Sequence, residues 1–78
     1  MNWSYNAIEN CKSASSDTHQ YYIGEVNGKI KLLIVNKKTK HEKLFGIMNH
    51  DPVFIEEEAN TIIEREGDMV WIDHTVTL

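Results

Sequence analysis

Asn27-Gly28 stands between two runs rich in β-branched and aromatic residues, 20–26 and 29–36, and constrains this chain more than any other feature. Both central residues of a type I′ turn need positive φ, and Asn-Gly adopts that conformation at little cost. The dipeptide therefore predicts a two-residue β-hairpin with a countable register. Tyr21 should face Ile34, Ile23 should face Leu32, and Glu25 should face Ile30. On the other face Tyr22 meets Leu33, Gly24 meets Lys31 and Val26 meets Lys29. The first face reads as core. The second is polar near the turn but apolar at Tyr22, Leu33 and Val35, so the open end of the hairpin needs cover on both sides.

The remaining chain supplies candidates for that cover. Asp51 is a good N-cap, Pro52 suits a first helical position and Gly67 suits the residue after a helix end. Ile55, Ala59, Ile62 and Ile63 make the buried stripe of the helix between them, and Glu56, Glu57 and Glu58 begin its wet side. Residues 42–49, with Leu44, Phe45, Ile47 and Met48, read as a third strand after a lysine-rich turn, and residues 69–78 alternate as a fourth. Near the start, Trp3, Ala7, Ile8 and Cys11 fall on one side of a helix too short to stand alone. Residues 13–18, small and polar, read as a linker behind it. The expected fold is one α+β domain over residues 1–78. It has a short N-terminal helix, a three-stranded antiparallel meander, an amphipathic helix and a last strand, in the order β-β-β-α-β.

Seventy-eight residues allow one core, which buries roughly 60% of the surface of the unfolded chain. An apolar share of 41% argues against wholesale disorder, and no apolar run approaches the ~20 residues of a membrane span. The start, Met1-Asn2-Trp3-Ser4-Tyr5, has neither the basic cluster nor the apolar stretch of a secretory leader, and a single cysteine cannot form an internal disulfide. A reducing cytoplasm is the natural setting. Lysine outnumbers arginine seven to one, a bias common in AT-rich bacterial or viral genomes.

Charge is segregated. Residues 1–50 carry seven lysines against Glu9, Asp17, Glu25 and Glu42, a net of +3. Residues 51–78 carry Arg65 against eight acids, a net of −7. Such a dipole bears on partners rather than on fold. The acids Glu56, Glu57, Glu58, Glu64, Glu66 and Asp68 come from one helix and its exit. A run of this kind is most often a solvated face. Yet acids near a helix C-terminus oppose the macrodipole at about 0.3–1 kcal/mol each, which argues for a basic partner. Trp3, Tyr22 and Trp71 are the candidate aromatic anchors, although in a small protein such residues commonly belong to the core. Lys37, Lys38, Lys40 and Lys43 could grip a phosphate backbone, or could simply keep a turn soluble and a strand edge unpaired. The negative total charge and the lack of interleaved aromatics favour the second use.

Catalytic and metal chemistry find little support. Cys11, His19, His41, His50 and His74 show none of the spacings that preorganise a zinc site, so neither metal nor cofactor is expected. Asp51 serves as a cap, and Asp73 and His74 would point to opposite faces of a strand. Cys11 has no evident base beside it. The expectation is a non-enzymatic protein that inhibits another protein by binding a basic or nucleic-acid-binding surface. Phages and mobile elements encode inhibitors of host nucleases and defence systems, anti-CRISPR proteins among them, that look like this in general outline. That likeness is one of type and transfers no residue roles. The alternatives are a nucleic-acid-binding regulator using residues 37–43, and a small homo-oligomeric accessory protein using the apolar end of the hairpin.

Overall fold

Asn27 and Gly28 take φ values of 54° and 78°, as a type I′ turn requires, and join β3 (His19–Val26) to β4 (Lys29–Asn36). The register is the one counted outward from the turn, from Val26 opposite Lys29 to His19 opposite Asn36. The structure is a computed structural model and describes residues 1–66. Around the central hairpin it adds β1 (Ser4–Asn6) and β2 (Cys11–Ser15) on one side and β5 (Glu42–Gly46) on the other. The five strands form one antiparallel sheet in chain order, and α1 (Pro52–Glu66) follows.

This corrects the expected β-β-β-α-β order: over the described residues it is five strands and a helix. No helix forms at the N-terminus. The spacing of Trp3, Ala7, Ile8 and Cys11 suits a helix, but two asparagines override it. The Asn6 side-chain oxygen accepts the backbone N–H groups of Ile8 and Glu9 at 3.0 and 3.2 Å, and Asn10 turns left-handed at φ 52°. Asparagine competes for the backbone in this way and so favours turns over helix interiors. Ile8 ends up 96% exposed at the tip of a hairpin whose strands pair Asn6 with Cys11. Residues 13–18 are likewise no linker. Ser13–Ser15 belong to β2, where Ala14 is buried opposite Tyr21, and the Ser16 hydroxyl accepts the N–H groups of Thr18 and His19 in the turn that follows. Small polar residues resemble a linker in composition, yet they are what fits beside a large aromatic.

The third expected strand also stops early, at Gly46. Ile47 still donates its N–H to the Ile30 carbonyl at 2.9 Å. Beyond it the N–H groups of Met48 and Asn49 turn away from the sheet toward the Glu58 carboxylate. The helix begins where it was expected to. Asp51 caps it by accepting Val53 N–H at 3.0 Å, and the first intrahelical bond runs from Ile55 N–H to the Asp51 carbonyl. The expected strand at 69–78 and the Gly67 helix stop lie outside the described residues.

Alternation decides which face α1 covers. Ala14, Tyr21, Ile23, Leu32 and Ile34 point to one side and pack with Ile55, Ala59 and Ile62 of the helix and with Ile47. Leu32 and Ala59 have no exposed surface. Burying a side chain like Leu32 contributes about 1.5–3 kcal/mol, a large share of the 5–15 kcal/mol typical of a domain. Trp3, Ile30, Phe45 and Ile63 close the margins of this core. The opposite face carries Tyr22, Leu33, Val35 and Leu44, and no described element lies on it.

Candidate functional site

Each helical acid can be placed by its angle around α1, at 100° per residue. Ile55, Ala59 and Ile62 point into the core. Glu66 lies on the same side as these three and meets Lys43 at 3.5 Å and Arg65 at 3.4 Å. Glu56 flanks the core and pairs with Lys12 of β2 at 2.6 Å. Glu58, on the other flank, accepts the N–H of Met48 at 3.0 Å, that of Asn49 at 3.1 Å and the Asn49 side-chain amide at 2.7 Å. The Met48 N–H, followed by the Asn49 donors, holds the Glu58 carboxyl below its ordinary pKa against an opposing effect of burial. These three acids work within the chain. The structure therefore does not gather the acidic set on one face.

Glu57 and Glu64 differ. Both are exposed, have no ion-pair partner among the described residues, and lie opposite the buried stripe. Val53 falls within about 40° of them around the helix axis and is 64% exposed. Phe54, 52% exposed, is turned about 100° from Val53 around the axis and marks the edge of this side, toward the Glu58 flank. Hence the outward side of α1 is a ridge with two apolar residues in its first turn and two free carboxylates along its length. The sequence reading missed Val53 and Phe54. Their signal was present, because neither falls on the stripe set by Ile55, Ala59 and Ile62. Asp68 lies outside the described residues, and the dipole argument for Glu66 is weakened by Lys43 opposite it.

The aromatic candidates separate too. Trp3 is half-buried, donates its indole N–H to Asn60 Oδ1 at 3.0 Å and meets Tyr21 edge-on with ring centres 6.4 Å apart, so it pins the chain start to α1. Tyr22 is half-buried on the sheet face that no described element covers. Trp71 lies outside the described residues. Neither Trp3 nor Tyr22 is on the ridge.

The lysines do not converge. Lys37 donates to the Ser16 carbonyl at 2.6 Å, and Lys38 and Lys40 are exposed at the tip of the turn. Lys43 is half-buried on the core side, facing Glu66 and lying 5.1 Å from the Phe45 ring centre. Lys12, on β2, is held by Glu56.

No described group combines the parts of a catalytic centre. The Cys11 thiol is pushed above its ordinary pKa by burial and by the Glu9 carboxylate, which lies 3.9 Å from its sulfur. That keeps it protonated and a weak nucleophile. A hollow of about 220 Å³ opens between Tyr5, Lys12, Ile23, Pro52 and Ile55. Its polar groups are already engaged, the Tyr5 hydroxyl with Asn10 and Lys12 with Glu56. Buried His19 hydrogen-bonds the Thr18 hydroxyl at 2.7 Å and stacks on Tyr21. Among the described residues no three His, Cys, Asp or Glu side chains come together as metal ligands. No described helix is long and apolar enough to cross a membrane. Comparisons with protein-family models, curated proteins and solved structures returned no match.

Proposed function

We propose that this protein is a small non-enzymatic binder that docks the outward ridge of α1 onto a basic surface of another protein and blocks it. The observation that supports this reading is the continuity of exposed Val53 and Phe54 with unpaired Glu57 and Glu64 on one side of the helix. Apolar anchors beside charges that no neighbour neutralises suit recognition better than stability. The carboxylates steer the encounter and make it sensitive to salt, and Phe54 supplies the desolvated contact. A groove that binds nucleic acid fits as a target, since carboxylates can occupy the positions of phosphates. A bacterial host cytoplasm is the setting proposed, and inhibition of a host nuclease or defence protein the purpose.

The test is capture of partners from a nuclease-treated bacterial lysate by the tagged full-length protein, beside Phe54→Asp and Glu57→Lys/Glu64→Lys variants. A stoichiometric protein retained by the wild type and lost by both variants supports the reading. Capture unaffected by either variant, or lost from the wild type on nuclease treatment, contradicts it.

A further inference from the structure

The sheet face that α1 leaves uncovered has its own pattern of side chains. Strand register places Tyr22, Leu33 and Leu44 side by side across β3, β4 and β5, with Val35 next to Leu33 along β4. Leu44 is 57% exposed. One step toward the Asn27-Gly28 turn lie Lys31 on β4 and Gly46 opposite it on β5; one step the other way lie Val35 and, opposite it, Glu42. The apolar row is thus flanked by a cation on one side and an anion on the other. Neither Lys31 nor Glu42 has an ion-pair partner among the described residues.

We infer that a second copy of this chain docks here, face to face, about a two-fold axis running along the Tyr22–Leu33–Leu44 row. Such an axis keeps each strand's place across the sheet and exchanges the two sides of the row along the strands. It sets Leu33 over Leu33 and Leu44 over Leu44 of the second copy, and puts Glu42 of each copy over Gly46 of the other. The Lys31 ammonium already leans over Gly46, 3.9 Å from where a Cβ would stand there. Both unpaired charges therefore find their complement twice, by symmetry alone. A self-complementary patch is what a two-fold interface needs, and paired sheets stack about 10 Å apart with their strands nearly aligned. Five strands spaced ~4.8 Å apart and ~17 Å long bury roughly 800 Å² between two copies. That is below the ~1,200–2,000 Å² of standard stable interfaces, so the dimer forms and dissociates with concentration. The site is separate from the α1 ridge, which faces the other way and stays open in both copies.

The test is sedimentation equilibrium of the full chain over a concentration range reaching about 300 µM, with circular dichroism to check that each variant folds. The wild type should show a monomer–dimer equilibrium. Leu44→Glu, which opposes like charges across the axis, should weaken it at least about tenfold. Glu42→Lys should weaken it several-fold, and the exchange Lys31→Glu/Glu42→Lys should restore it. A wild type monomeric throughout the range, a dimer indifferent to Leu44→Glu, or an exchange that restores nothing would overturn the inference.

Discussion

Glu58 accepts three donors from the connection between β5 and α1, while the Glu57 carboxylate, one residue earlier, accepts none among the described residues. The difference is 100° of helix rotation, and it decides that one carboxylate organises backbone while the other meets solvent. It also has a consequence for acid stability. The hydrogen bonds lower the folded-state pKa of Glu58 below its unfolded value, Met48 N–H contributing most. The stabilisation is therefore fully present above the unfolded pKa and is lost as pH falls through the folded pKa. Urea unfolding followed from about pH 6 down to about pH 3, across the ordinary carboxylate range, should show a decline that is shallower in Glu58→Gln. Equal slopes would remove Glu58 from the account.

Two of the hairpin turns are built alike. Asn6 and Asn36 each accept the N–H groups two and three residues ahead, and Asn10 and Lys40, four residues ahead, each take positive φ. Asparagine enters that region readily, whereas lysine is strained there. Lys40→Gly should accordingly stabilise the protein by about 0.5–1 kcal/mol, read as a higher urea midpoint at unchanged slope; a lower midpoint would contradict the turn assignment. These turns also explain what the sequence let one read. Asn27-Gly28 and Asp51-Pro52 are local signals whose neighbours agree with them, so the central hairpin and the helix start were legible. At the N-terminus an apolar spacing suited to a helix competed with Asn6 and Asn10, and the side-chain hydrogen bonds won. The end of β5 was not legible, because it depends on Glu58, ten residues from Met48. The acidic set was legible as residues, but not its division, which depends on where Lys12, Lys43 and the Met48–Asn49 backbone lie in space. The exposure of Phe54 could have been inferred from its angle around the helix.

At the scale of the whole molecule, the described residues form a five-stranded sheet with one helix over one face, and the net charge of −4 conceals a basic half, residues 1–50, and an acidic half, residues 51–78. Part of that opposition is spent inside the fold, where Lys12–Glu56 and Lys43–Glu66 tie the helix to opposite sides of the sheet. Among the described helical acids, Glu57 and Glu64 are left exposed on the surface. This division of labour is the central claim, and it can be tested without knowing any partner. The measurement is the unfolding free energy of five single variants, Glu56, Glu57, Glu58, Glu64 and Glu66 each changed to Gln, by urea denaturation near neutral pH. Glu58→Gln should cost about 1–2 kcal/mol. Glu56→Gln and Glu66→Gln should cost up to about 1 kcal/mol each, as half-exposed ion pairs do. Glu57→Gln and Glu64→Gln should stay within about 0.5 kcal/mol of the parent. A loss at Glu57 or Glu64 as large as that at Glu58 would show that the outward carboxylates also serve the fold, and would contradict the claim.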